Sequence, residues 1–89
     1  MKLKFTHQAV VDLKRLDDFI RQHNPAAAKK ASSQLRRNIA HLVERPRLGV
    51  ALDGLLGCRE MVAHGYIVRY CVSANQVIVL NVWHHKESN

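Results

Sequence analysis

Eighty-nine residues make one domain, which on folding buries only ~60–65% of the surface its unfolded chain exposes. Fourteen Lys+Arg against seven Asp+Glu give a formal charge of +7, and 47% of the residues are hydrophobic. That composition excludes wholesale disorder, no run approaches the ~20 apolar residues of a membrane span, and the charge calls for an acidic partner such as nucleic acid, an anionic surface or an acidic protein. No apolar core follows the N-terminal lysines as in a signal peptide, so a cytoplasmic protein is expected. So small a domain leaves little room for a cofactor, and none is expected.

In chain order the pattern reads strand, helix, helix and three strands. This is an α+β fold in which a helical hairpin packs on a small antiparallel sheet, one domain over 1–89. Lys2–Phe5 alternates Lys2 and Lys4 with Leu3 and Phe5, as a short strand does. Thr6 can cap a helix whose apolar stripe is Ala9, Leu13, Leu16 and Ile20. That helix ends at His23-Asn24-Pro25, where Asn24 suits the N-cap and Pro25 the first position of the next helix. The second stripe is Ala28, Ala31, Leu35, Ile39 and Leu42. Two helices joined so tightly fold back on each other. Pro46 closes the second helix, and residues 45–57 form a loop rich in Gly and Leu.

Strands are predicted at 58–63, 66–72 and 77–83. If His64-Gly65 is a two-residue turn, with Gly65 supplying positive φ, residue 63 pairs with 66, 62 with 67, 60 with 69 and 58 with 71. Glu60 then faces Arg69 as a cross-strand ion pair. Cys58 and Cys71 become direct neighbours, close enough to oxidise. The expectation is nevertheless two reduced cysteines packing as small apolar groups, with no disulfide framework and no metal-ligand spacing.

Charge concentrates on the second helix. Lys29, Lys30, Arg36 and Arg37 recur at steps of six to eight and are expected to share its outward face, extended by Arg45 and Arg47. Such a face can follow a phosphate backbone or rim a protein interface. No aromatic residue interleaves it to stack bases. His7, His23, His41 and His64 read as surface residues. His84 and His85 are adjacent in a strand, so they point to opposite faces unless the strand ends between them, and no metal site is expected. Arg59 shares a face with Met61, Val68 and Tyr70, where it needs a carboxylate, a phosphate or solvent.

Several pieces together resemble the RelE/ParE superfamily of type II toxins. They are Asn24-Pro25-Ala26-Ala27-Ala28 between the helices, Pro46-Arg47-Leu48-Gly49 after them, Gly57-Cys58-Arg59-Glu60 opening a strand, Tyr66-Ile67-Val68-Arg69-Tyr70, and Val77-Ile78-Val79-Leu80-Asn81-Val82-Trp83-His84. Their order spans almost the whole chain, and "NPAAA", "RPRLG" and "GCREM" resemble the ParE branch. The resemblance implies a bacterial toxin that a cognate acidic antitoxin neutralises in a hetero-oligomer. It also implies one of two targets. ParE-like members inhibit DNA gyrase with no known set of catalytic residues, whereas RelE-like members cleave mRNA in the ribosome.

Metal-free RNA cleavage needs a base for the 2′-OH, an acid for the leaving oxygen and cations for the transition state. On that alternative Arg59 and Arg69 supply charge, and His84 or His85 moves protons. The 45–57 loop has no lysine, however, and Trp83-His84-His85-Lys86 lacks the terminal tyrosine of several RNA-cleaving relatives. The gyrase-directed reading is therefore preferred, with no catalytic residues. Arg59, Trp83 and His84 are then expected at the target, and Lys29, Lys30, Arg36 and Arg37 at the antitoxin. A plain nucleic-acid-binding module is the remaining alternative.

Overall fold

The computed structural model describes residues 1–87; Ser88 and Asn89, within the predicted domain, lie outside the described residues. Two helices, α1 (His7–His23) and α2 (Ala28–Ala40), cover one face of a five-stranded sheet. Its strands are β1 (Lys2–Phe5), β2 (Val50–Ala51), β3 (Cys58–Ala63), β4 (Tyr66–Ser73) and β5 (Gln76–His84), in the order β1-β5-β4-β3-β2. The α+β architecture and the element order agree with the sequence. The sheet differs in two respects. It is mixed, because β1 runs parallel to β5, and the 45–57 loop contributes the extra two-residue strand β2 beside Arg59 and Glu60. A helix now separates β1 from the remaining strands, and this crossover permits a parallel pairing that no hairpin could make.

Thr6 is the joint between sheet and helix. Its N–H donates to the Val79 carbonyl at 3.0 Å, its hydroxyl donates to the Leu80 carbonyl at 2.9 Å, and the same oxygen caps the Ala9 N–H at 3.0 Å. Ala9, Leu13, Leu16 and Ile20 are buried, as the stripe predicted. Asn24 does not cap the second helix. Its own N–H donates to the Ile20 carbonyl at 2.8 Å, which makes it the end of α1, and its side chain makes no capping bond. Pro25 instead opens a turn of 3₁₀ helix, Pro25–Ala27, that leads into α2. A second such turn, His41–Val43, follows α2 and buries Leu42 with Ala28, Leu35 and Ile39.

The hairpin register is the predicted one, from Cys58 opposite Cys71 to Ala63 opposite Tyr66. Both turn residues have positive φ, 54° at His64 and 85° at Gly65, as a two-residue turn between twisted strands requires. A Cβ on Gly65 would stand 2.8 Å from His84 Nε2, so the glycine also lets the histidine pair pack close. Strands β4 and β5 run further than predicted, around a two-residue turn at Ala74-Asn75. A bulge between Arg69 and Tyr70 shifts the register by one residue: Tyr70 faces Val79 while Arg69 faces Asn81. This is why β5 buries Val77 and Val79 but then Val82.

The expectation of free thiols is corrected. Cys58 and Cys71 form a disulfide, and the described residues include no free cysteine. Directly opposed positions on neighbouring strands bring the two sulfurs within bonding reach without further chain closure.

Candidate functional site

The candidate residues do not converge. Arg59 and Arg69 belong to adjacent cross-strand pairs, Arg59 with Tyr70 and Glu60 with Arg69, so they project from opposite faces of the sheet. Arg59 lies on the helix-covered face, and its Nη1 donates to the Gly49 carbonyl at 2.7 Å. A main-chain carbonyl thus takes the place of the expected carboxylate, phosphate or solvent, and the arginine braces the 45–57 loop. Tyr70, fully buried, holds the same loop. Its hydroxyl donates to the Pro46 carbonyl at 2.6 Å and accepts the Gly49 N–H at 2.9 Å. A Cβ on Gly49 would come within 2.7 Å of the Glu60 carbonyl oxygen, so only glycine fits there.

Arg69 lies on the uncovered face. Its Nε and Nη2 donate to one Glu60 oxygen at 2.8 and 2.5 Å, which confirms the cross-strand pair. Its guanidinium also stands 5.5 Å from the centre of the Trp83 ring. The adjoining hollow, about 450 Å³, has Arg15, Arg69, Trp83 and Glu87 on its walls.

His84 sits where β5 ends. Its ring meets Tyr66 edge-on at 4.7 Å and stacks on His85 at 4.6 Å, with Phe19 at 5.3 Å. The two histidines lie side by side because the strand stops between them. His84 Nδ1 accepts the Lys86 N–H at 3.1 Å, which leaves the neutral ring's proton on Nε2. Burial, then the neighbouring His85 and Lys86 charges, hold the imidazole below its ordinary pKa. His84 is therefore neutral at pH 7. Among the described residues no group of three or more His, Cys, Asp or Glu is placed to hold a metal.

The basic helix face is divided. Lys29, Lys30, Arg36 and Arg37 are all exposed, but Arg36 reaches back to α1 and donates to both oxygens of Asp17, each at 3.1 Å. Lys29 borders a hollow shared with Asp17 and Arg21. Lys30 borders a different one, about 500 Å³, between α2 and the His64–Tyr66 turn. Lys29 and Arg36 thus lie toward Asp17 of α1, and Lys30 borders a different surface.

Sequence reasoning passed over a polar network that joins α1 to β5. Asp12, 4% exposed, accepts the Val82 N–H at 2.9 Å, Arg15 Nη1 at 2.6 Å and Gln8 Nε2 at 2.9 Å. Arg15 also donates to the Val82 carbonyl at 2.9 Å and to Glu87 at 2.8 Å, and Glu87 accepts the His84 N–H at 2.9 Å. Burial pulls the Asp12 carboxyl upward, yet the hydrogen bonds from Val82, Arg15 and Gln8 together outweigh it and leave it below its ordinary value. Arg15 likewise holds Glu87 low, and the two carboxylates hold Arg15 high. The available signal was positional: Asp12 falls three residues after Ala9 and next to Leu13, inside the apolar stripe.

Arg59, Arg69 and Arg15 are each engaged by a carbonyl or a carboxylate. No hydrogen bond, ion pair or ring contact among the described residues joins Arg59, Arg69 and His84 to one another.

Residues 3–89 match the family described as ParE toxin of type II toxin-antitoxin system, parDE. No curated protein matches the sequence. Among solved structures the fold is similar to the chromosomal ParDE toxin–antitoxin system from P. aeruginosa, with a TM-score of 0.79 and 21% identity over 94% of this chain and 95% of that one. It is also similar to the intact E. coli RelBE toxin–antitoxin complex, at a TM-score of 0.58 and 22% identity over 92% and 97% of the two chains. A third similar structure, the H. pylori protein HP0894, gives a TM-score of 0.59 at 21% identity over 98% and 97%. With the family matched over nearly its full length and its fold shared with such structures, this chain belongs to the ParE toxins of type II toxin–antitoxin systems.

Proposed function

We propose that this toxin acts in the cytoplasm by binding DNA gyrase and inhibiting it, and that a cognate acidic antitoxin neutralises it in a hetero-oligomer. One observation carries the choice of target. The two arginines that a ribonuclease would bring to one phosphate lie on opposite faces of the sheet, each already bonded within the chain. Metal-free RNA cleavage needs its cations and its proton carrier around one phosphate. Inhibition through protein contact needs no such convergence.

On this reading the target is met by Trp83 and Arg69 on the uncovered face and by His84 at the end of β5. Arg59 contributes by holding the 45–57 loop. Lys30 and Arg37 are available to attract the acidic antitoxin, and Lys29 adds to the field, whereas Arg36 is paired with Asp17. A supercoiling assay with purified gyrase, run beside a ribosome-programmed mRNA cleavage assay, tests the assignment. Inhibited supercoiling with intact mRNA is expected. Codon-specific cuts that His84→Ala abolishes would transfer the protein to the RNA-cleaving arm.

A further inference from the structure

Cys58 and Cys71 lie half-buried on the uncovered face of the sheet, at the end of the β3–β4 hairpin opposite its turn. The main-chain groups of Cys58 turn away from β4. Its N–H donates to the Leu55 carbonyl at 3.0 Å, and its carbonyl accepts the Leu52 N–H at 3.0 Å. The neighbouring Gly57 carbonyl accepts the Val72 N–H at 2.8 Å, so in the antiparallel alternation 58 and 71 are a pair without main-chain bonds. The side chain alone therefore ties Cys58 across to Cys71. That tie also fastens the loop before it, in which Leu55 and Leu56 are exposed.

Two features mark this crosslink as one that opens. The first is access. A thiolate must reach a disulfide sulfur directly, and exposed disulfides are the labile ones. No helix covers this face of the sheet, and neither cysteine is fully buried. The second is charge. Lys4 is level with Ile78 and Ile78 with Cys71, so Lys4 shares the row and the face of the crosslink, two strands away at about 10 Å. Glu60, in the next row of that face, is occupied by Arg69. Positive surroundings favour thiolate over thiol, both in the attacking group and in the one released. In a reducing compartment a crosslink so placed is transient rather than permanent.

We propose that the Cys58–Cys71 pair is a thiol–disulfide exchange site, opened by glutathione or a dithiol protein, and that its state sets the order of residues 52–58. A thiolate of the reductant attacks one of the two sulfurs, forms a mixed disulfide and releases the other cysteine as a thiolate. A second reductant thiolate then displaces the remaining cysteine. Two electrons pass to the toxin, two protons complete its thiols, and the reductant leaves as a disulfide. Glutathione disulfide reverses the sequence. Once the crosslink is open, the Gly57–Val72 bond is the remaining main-chain link from residues 52–58 to β4, and this end of the hairpin opens locally. The inference rests on the cytoplasmic location given above and is independent of the target.

The test places the intact purified toxin in buffers of graded glutathione to glutathione disulfide ratio, with its thiols trapped by alkylation and counted by mass. The pair is expected to pass from oxidised to reduced as the ratio rises to that of a reducing cytoplasm. In the reduced form the Leu52 and Cys58 amides should exchange with solvent severalfold faster, while those of Met61 and Val68, paired nearer the turn, stay protected. Cys58→Ser should show the fast Leu52 amide at every ratio. Lys4→Gln should slow reduction by glutathione severalfold. A pair that stays oxidised against excess glutathione and a dithiol protein alike is a structural crosslink, which overturns the exchange site. Equal exchange at Leu52 and Cys58 in the two forms overturns the coupling to the loop. Exchange in buffer beside a toxin trapped oxidised from growing cells would overturn the cytoplasmic location and leave the exchange site standing.

Discussion

Asp12 accepts the main-chain N–H of Val82 at 2.9 Å, so a buried carboxylate on the first helix fixes the last strand across 70 residues of sequence. Removing it takes the acceptor from three donors, the Val82 N–H, Arg15 Nη1 and Gln8 Nε2. Asp12→Ala is expected to cost about 1–3 kcal/mol, the usual penalty for an orphaned buried donor, as read from denaturant midpoints. A variant as stable as the parent would mean that the carboxylate is not needed to hold α1 on β5.

Acid should weaken the protein in two stages. Asp12 and Glu87 are held below their ordinary values in the folded chain, so their contribution is complete above the unfolded carboxyl range and is lost as pH falls through it. His84 is also held low, by partial burial and then the His85 and Lys86 charges, so its neutral form contributes fully above about pH 6.5 and progressively less below. Urea midpoints should therefore begin to fall between neutrality and pH 5, then fall further in the carboxylate range. Replacement of His84 by Gln should remove the first stage and leave the second. A flat response between pH 7.5 and 5.5 in the parent would contradict the lowered imidazole.

Tyr70→Phe isolates the anchor of the 45–57 loop. The ring remains, but the Pro46 carbonyl loses its donor and the buried Gly49 N–H loses its acceptor. A loss of about 1–3 kcal/mol is expected. Faster amide exchange at Gly49 should accompany it, while the β3–β4 hairpin stays protected. Unchanged exchange at Gly49 would show that Arg59 holds the loop without the tyrosine.

The disulfide can be separated from the fold. It closes a segment of 13 residues that the two-residue turn already brings together, so its stabilisation should not exceed ~3 kcal/mol. The doubly substituted Cys58→Ala, Cys71→Ala chain should keep the same circular dichroism spectrum and melt at a lower temperature. Loss of the hairpin in that variant, seen as uniformly fast exchange across β3 and β4, would make the crosslink a condition of folding.

What the sequence disclosed followed the range of the interactions involved. The β3–β4 register was legible because one turn fixes it, and Gly65 marks that turn. The helix stripes were legible because the period of a helix is local. The parallel pairing of β1 with β5 depends on residues more than 70 apart, and nothing in Lys2–Phe5 indicates it. Strand β2 is two residues long, below any periodic signal. At the site, Arg59 and Arg69 were each recognised as charges in need of a partner, but the partner of Arg59 is a carbonyl that every residue carries. Arg36 finds Asp17 only because the helices cross there. Asp12 was hidden by its type: an aspartate within an apolar stripe reads as solvent-facing until the strand amide it accepts is seen. The "RPRLG" likeness acquires a physical cause in Tyr70, which grips the segment at Pro46 and at Gly49.

The order β1-β5-β4-β3-β2 has a consequence for synthesis. Among the described strands β1 pairs with β5 alone, and α1 rests on β5 through Asp12 and Thr6. Until β5 has been made, β1 has no strand to pair with and α1 has no anchor on the sheet. The sheet is therefore completed by a pairing between residues far apart in sequence, the kind of contact that forms slowly. A chain that lacks β5 has neither a partner strand for β1 nor the Val82 amide that holds α1 through Asp12.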